Sequence, residues 1–374
     1  MHVLMVGLDN TVFTQEGRGD LANRLKKYAG HVGFISLVIY TPDKGFKPVK
    51  IADNVMAYPT NSKYQFRFPW QAAKIGEQIH KERPVNLVTT QDPFVCGYAG
   101  YLLKKRLGIP LVVNIVSSFF DDPYWKKEDW KNPFFNMFGK WLIKKADGVR
   151  VECDTEREKV ISLGVSADKV KVAPVLVDLK KFSEEKGSVR EKYINGYDRI
   201  VLFIGRLSVE KNVGLLIKAA KVVAQKRPKT LFLIVGGGKD EINLKSMASG
   251  CDNIVFAGKI PHAEIPKYHK GADVLVLPSF YEGIPLVVVE AAASGLPVIC
   301  TDVRDAKDVI IDEKSGFIVP KDNPDILALR IIDVLADQKK AKEMGKVGQK
   351  LVMEKFDPEQ NLKDCIGLWK QVAK

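Results

Sequence analysis

The chain has 374 residues, 46% hydrophobic and 9% aromatic, with a formal net charge of +13. That length and apolar content fit two globular domains with sizeable cores, and no apolar run approaches the roughly 18–20 residues of a membrane-spanning helix. The five cysteines (Cys96, Cys153, Cys251, Cys300, Cys365) are scattered without a CxxC pair, which reads as reduced thiols in a cytoplasmic protein.

The N-terminus, MHVLMVGLDN, has a short apolar run and no basic leader. It reads as a first buried strand rather than a signal peptide. Further strand-like runs follow at Phe34–Ile39, Val85–Val88, Leu111–Val116 and Val149–Val151. Helical-period segments lie between them at Leu21–Tyr28, Phe68–Lys81 and Cys96–Arg106. The polar stretch Asp178–Asp198 then interrupts the pattern and marks a domain boundary. A second series opens at Ile200–Ile204 and continues through Leu231–Val235, Ile254–Phe256, Val274–Leu277, Val298–Ile299 and Phe317–Val319. Its helix candidates are Val213–Gln225 and Pro285–Ser294. This alternation predicts α/β architecture with parallel, doubly wound sheets. The expected division is 1–178, 179–360 and a terminal helix over 361–374, whose apolar positions are Leu362, Ile366, Trp369 and Val372.

The most specific stretch is Ser279–Pro297, SFYEGIPLVVVEAAASGLP. Glu282 lies in a polar loop, where the positive end of a helix dipole favours an acid. Glu290 lies inside a run of valines and alanines, where a carboxylate needs a partner. Between them, Gly283 permits a turn and Pro285 suits the first helical turn. The N–H groups of Gly283, Ile284, Leu286 and Val287 are then candidates to meet phosphate or sugar oxygens. Upstream, Gly205 ends a strand, and Arg206 and Lys211 bracket the loop after it. Two cations there suit a diphosphate, or are two exposed basic residues. Asn212 is a candidate N-cap for the helix that follows. Gly236-Gly237-Gly238 admits a ligand or turns the chain; Lys259 and Ile260 offer backbone to a nucleobase edge or form a plain turn.

Taken together, GRLSVEKN (205–212), the glycine run 236–238, GKIPHAEIPKYHKGADVLVLPS (258–279) and EGIPLVVVEAAASGLPVI (282–299) resemble the group-1, retaining glycosyltransferases of the GT-B class. The resemblance covers essentially the whole chain and is strongest in its second half. It implies two Rossmann-like domains facing across a cleft. It implies catalytic roles for Arg206, Lys211 and Glu282: the two cations bind the donor diphosphate, and Glu282 contacts the donor sugar. Glu290 would hold the nucleotide ribose. Gly205, Gly236, Gly237, Lys259, Ile260, Gly283, Ile284, Pro285, Leu286 and Val287 would complete the donor pocket. The terminal helix would cross back to the first domain.

The first half departs from that pattern. Where relatives carry a histidine near the scissile bond, the segment Leu111–Ser118 places Val116, followed by Ser117. The expected glycine pair after the first strand is replaced by a longer loop with Gly17 and Gly19. These four residues mark the acceptor side.

The stretch Phe119–Trp141 holds nine aromatics, with lysines at 126, 127, 131 and 140. It reads as a membrane-interface helix or as a core-facing helix with a solvated lysine face. Asp121 and Asp122 are adjacent, point different ways and lack a third ligand, so no metal is expected.

The expected activity is transfer of a sugar from a nucleotide-diphosphate sugar to a glycan, lipid-linked or small-molecule hydroxyl acceptor. It would proceed with retention, without cofactor or metal, in cell-surface polysaccharide or lipid-linked glycan synthesis. The location would be cytoplasmic, with peripheral contact to the inner face of the membrane. A catalytically silent nucleotide-sugar-binding subunit is the alternative. A nicotinamide dehydrogenase would need a GxGxxG after a first strand, and neither Val3–Gly7 nor Ile200–Gly205 leads into one. Nucleic acid has only the charge in its favour.

Overall fold

The computed structural model describes residues 1–13, 20–42, 45–117, 119–303 and 306–374. These form two compact units, residues 1–176 with 358–374, and residues 177–357.

In the first unit, β1 (His2–Gly7), β2 (Phe34–Ile39), β3 (Val49–Ala52), β4 (Val55–Pro59), β5 (Leu87–Thr90), β6 (Leu111–Ile115), β7 (Gly148–Val151) and β8 (Val170–Val172) form one sheet. Its order is β3-β4-β2-β1-β5-β6-β7-β8. Every pairing is parallel except β3 with β4, at the edge. Side chains alternate along a strand. Leu4 and Val6 therefore join one core with Phe68, Leu103 and Leu142, while Val3 joins another with Leu25, Tyr28, Ile366 and Trp369. Helices Phe68–Glu82, Val95–Leu107 and Asn132–Ile143 supply the first core, and helices Asp20–Ala29 and Pro358–Val372 the second. With both faces buried, the parallel strands can be apolar throughout. The buried Trp369 ring lies 5.2 Å from that of Tyr28 and anchors the terminal helix.

In the second unit, β9 (Arg199–Ile204), β10 (Thr230–Val235), β11 (Ile254–Gly258), β12 (Val274–Leu277), β13 (Val298–Thr301) and β14 (Gly316–Val319) form an all-parallel sheet. The order is β11-β10-β9-β12-β13-β14. This is the 3-2-1-4-5-6 winding of a dinucleotide-type fold, whose strand order reverses between β9 and β12. Ligands bind outside the carboxyl ends of strands at such a switch point.

Strands β3, β4 and β8 were not expected from the sequence. Lys50 and Lys171 interrupt β3 and β8, and both strands are short. The polar stretch 178–198 contains two short helices, Leu179–Ser183 and Arg190–Tyr193. At five and four residues they are too short to show a periodic stripe.

Candidate functional site

Two loops leave the sheet at the switch point. β9 ends at Ile204 and runs through Gly205 and Arg206 into a single 3-10 turn, Val209–Lys211. β12 ends at Leu277 and runs through Ser279 and Glu282 into helix Leu286–Ala293. The loops are tied together. Lys211 Nζ donates to Glu282 Oε1 at 2.5 Å, and the Phe280 amide donates to the Glu210 carbonyl at 2.8 Å. Ser279 Oγ donates to the same Glu282 oxygen at 2.6 Å, and the Ser279 carbonyl accepts from Thr301 Oγ1 at 2.5 Å. The Lys211 and Glu282 side chains are only 15% and 13% exposed. Such a pair repays its desolvation when further hydrogen bonds satisfy the remaining polar atoms. Ser279 supplies one. An ammonium has three donors, and among the described residues Lys211 uses one.

Arg206 lies on the same loop but contacts neither member of the pair. Its guanidinium is 76% exposed and meets Glu210 at 3.1 Å. Glu210 also accepts from Ser208 Oγ at 2.6 Å. Asn212 is not a side-chain cap. It adopts a left-handed φ of 48°, and its Nδ2 donates to the Lys321 carbonyl at 3.0 Å. That bond ties the loop to the end of β14 and leaves the side chain unable to cap.

The glycine run has a packing reason. Gly236 has φ +139°, and a Cβ there would fall on the Gly205 carbonyl oxygen; one at Gly238 would fall on that of Leu207. The loops after β9, β10 and β11 interlock through Gly236 N to Gly258 O at 2.8 Å and Leu207 N to Gly237 O at 3.1 Å. Lys259 is exposed and lays its stem against Gly237; Ile260 is half-buried.

At the helix start, Pro285 is the N-cap residue, not the first helical one: its ψ of 90° is non-helical. Its missing N–H costs nothing in either position, so sequence alone leaves the register one residue loose. The Pro285 carbonyl accepts from Val288 N at 2.8 Å. The N–H groups of Gly283, Ile284, Leu286 and Val287 have no partner among the described residues. They are open donors at the positive end of the helix.

Glu290 is buried one turn further on, and two histidines converge on it. His262 Nε2 lies 2.9 Å from Oε1, while His269 Nε2 lies 3.9 Å from Oε2. The longer contact is electrostatic rather than a hydrogen bond. His269 is fully buried, and neither ring nitrogen has a hydrogen-bond partner among the described residues. The Phe182 ring lies edge-on to both imidazoles, at 6.0 and 5.8 Å. Burial works to raise the Glu290 carboxyl, but the hydrogen bond from His262 and the nearby His269 outweigh it and hold it below the usual carboxylate range.

The structure therefore brings together Lys211, Glu282 and Ser279, and separately Glu290, His262 and His269. Sequence reasoning missed Ser279, Glu210 and both histidines. The signal was present: two of the chain's five histidines lie seven residues apart in a segment already singled out.

In the first unit, Val116 follows the end of β6 half-buried, and the Ser117 carbonyl accepts from Phe119 N at 2.9 Å. Gly17, Gly19 and Ser118 lie outside the described residues. Asp121 pairs with Lys140 at 2.6 Å and Lys159 at 2.9 Å, and Asp122 caps helix Pro123–Glu128. Among the described residues, no three His, Cys, Asp or Glu side chains group to hold a metal ion. A cavity of about 290 Å³, lined by Arg190, Arg199, Asp273 and Pro297, lies at the opposite ends of β9, β12 and β13 from Lys211.

Residues 186–351 match the family model described as Glycosyl transferases group 1, and residues 7–181 match that of Glycosyltransferase Family 4. Residues 186–351 belong to the group-1 glycosyltransferases, and with the match over residues 7–181 the glycosyltransferase likeness spans nearly the whole chain. Among its curated relatives, the GDP-mannose-dependent alpha-(1-6)-phosphatidylinositol monomannoside mannosyltransferase of Mycolicibacterium smegmatis is 31% identical over 196 residues, 49% of this chain and 51% of that protein. The alpha-monoglucosyldiacylglycerol synthase of Streptococcus pneumoniae is 24% identical over 222 residues, 56% of this chain and 50% of that one. The chain thus spans about half the length of each. The structure of sucrose-phosphate synthase from Thermosynechococcus elongatus superposes with a TM-score of 0.84 at 22% identity, over 99% of this chain and 98% of that one. This likeness places the glycosyltransferase in the GT-B fold class. No helix of it is long and apolar enough to cross a membrane, among the residues described.

Proposed function

We propose that the protein transfers a sugar from a nucleotide-diphosphate sugar to an acceptor hydroxyl with retention of anomeric configuration. The observation that carries this reading is the pairing of Lys211 with Glu282 beside the open amide donors of Gly283, Ile284, Leu286 and Val287. A diphosphate needs cations and N–H donors, and a sugar needs a carboxylate. The switch-point loops offer all three. Lys211, joined by Arg206 from its exposed position, neutralises the leaving diphosphate. Glu282 accepts from donor-sugar hydroxyls, and Glu290, held ionised by its histidines, accepts from the ribose. Charge-assisted hydrogen bonds of this type contribute about 1.5–3 kcal/mol each.

As the bond from the anomeric carbon to the diphosphate oxygen breaks, positive charge grows on the sugar and negative charge on the leaving group. The acceptor oxygen bonds to the anomeric carbon on the same face, and its proton passes to the departing diphosphate oxygen. Val116 offers no titratable group, which favours this front-face course over one assisted by a side chain. Neither metal nor cofactor enters, because Lys211, Arg206 and the amide donors carry the counter-charge. The acceptor class we favour is a lipid-linked or cell-surface glycan precursor, since the two curated relatives above are named for lipid acceptors or products.

The same Val116 supports a second reading, a nucleotide-sugar-binding subunit without transfer activity of its own. Incubation with UDP-, GDP- and ADP-sugars and a lipid extract, with proton NMR of the product's anomeric coupling, decides between them. An axial-to-axial outcome supports retention, inversion refutes it, and donor binding without product supports the silent subunit.

A further inference from the structure

Helix Asn132–Ile143 buries Asn132, Asn136, Gly139, Leu142 and Ile143. On a surface helix the opposite face should be polar. Here it carries Phe134, Met137 and Trp141, preceded by Trp130, and the first three of these in chain order, Trp130, Phe134 and Met137, are 75%, 63% and 68% exposed. The face turned to solvent thus carries large apolar side chains where polar ones are expected.

This surface extends to a segment the sequence did not connect with it. Tyr64, Phe66 and Trp70 are also exposed. A run of ring contacts joins the two: Trp70 to Tyr98 at 5.5 Å, Tyr98 to Phe138 at 5.7 Å, and Phe138 to Trp141 at 5.6 Å. Cations border the rings. Lys63 and Arg67 lie 5.4 and 5.7 Å from the Tyr64 ring, Lys105 5.9 Å from Tyr101, and Lys131 5.6 Å from Trp130. Lys127 and Lys144 are exposed in the same stretch of chain, with two exposed acids, Glu128 and Asp129. Lys140 is instead paired with Asp121.

We propose that this face docks the protein on an anionic lipid surface, with the aromatic and Met side chains at the acyl boundary and the cations among the headgroups. Aromatic rings with flanking lysines are the composition of interfacial elements, and the excess positive charge is complementary to anionic headgroups. A second copy fits less well: a two-fold interface would set this same row of cations against itself. The docking extends the transfer reading above but does not rest on it.

The test is co-sedimentation of the purified full chain with phosphatidylcholine vesicles, with and without phosphatidylglycerol, at low and high salt. The protein is expected to bind the phosphatidylglycerol vesicles, to release in high salt, and to show tryptophan quenching by brominated lipid. Each lysine near the surface is worth about fivefold in partition. Lys127→Glu with Lys131→Glu should therefore lower binding about tenfold or more, and Trp130→Ser with Phe134→Ser and Met137→Ser should abolish the quenching. Nucleotide-sugar thermal shifts should stay unchanged in both variants, which reports folding and keeps the donor site separate. Equal sedimentation of wild type and variants, or no preference for phosphatidylglycerol, overturns the proposal. So does a dimer in gel filtration that the Trp130 variant dissolves, or a preference for single-stranded oligonucleotide over vesicles.

Discussion

Replacing Lys211 with methionine keeps most of the side-chain length and removes the ammonium. Among the described residues Glu282 then retains only the Ser279 hydroxyl, at 13% exposure. Breaking a buried pair from one side costs about 3–5 kcal/mol, because the other charge is left uncompensated. Some solvent reaches this one, so about 2–3 kcal/mol is the expected loss. For a domain of this size that corresponds to roughly 4–12 °C in the melting of the second unit. The effect on transfer is separate: loss of a pre-aligned group that stabilises developing charge lowers the rate by about 10²–10³. The double variant Lys211→Met with Glu282→Gln separates the two effects. With both charges gone, most of the lost stability should return, while the rate should not. Thermal melting and release of nucleoside diphosphate, measured on the same preparations, read the two quantities. Wild-type turnover in Lys211→Met, or recovery of turnover in the double variant, refutes the role given to Lys211.

Three further outcomes follow from the packing and charge. Gly236→Ala places a Cβ on the Gly205 carbonyl at a φ of +139°, so chemical denaturation should show a loss above about 2 kcal/mol; a change within 0.5 kcal/mol contradicts the interlocked loops. The Glu290 carboxyl is held below its ordinary value of 4.5 in the fold. Its ionised form thus adds stability above that value, and the contribution is lost as pH falls through the lowered pKa. His262→Ala removes the hydrogen bond that lowers it, so the acid limb of the second unit's melting curve should move to higher pH; an unmoved limb argues against the pair. Trp369→Ala should cost the first unit about 3–5 kcal/mol and leave the donor-induced thermal shift intact. Limited proteolysis that opens the second unit first would contradict that assignment.

The parallel sheets were legible because strands buried on both faces read as unbroken apolar runs, such as Ile200–Ile204 and Val274–Leu277. Strands β3 and β8 were not, because Lys50 and Lys171 break their runs and an edge strand need bury only one side. Glu290 stood out as a carboxylate inside a run of valines and alanines, and Glu282 as an acid in the polar loop just before that helix. Their partners did not stand out, since Lys211 lies 71 residues and His262 28 residues away in sequence, and only the winding of β9 beside β12 joins the former pair. The role of the glycine run was ambiguous for a related reason: its crowding comes from the carbonyls of another loop. The aromatic stretch 119–141 was noticed, but its continuation to Tyr64 and Trp70 passes through Tyr98 on a different helix.

The central claim is that the Lys211–Glu282 and Glu290 groups bind one nucleotide-diphosphate sugar. Calorimetric titration of UDP-, GDP- and ADP-sugars into wild type, Lys211→Met and Glu290→Gln tests it most directly. One base should bind the wild type, and both variants should bind it at least about tenfold more weakly, as expected for losing one charge-assisted hydrogen bond or ion contact. Binding of equal strength in all three proteins, or no binding of any nucleotide sugar to the wild type, contradicts the account.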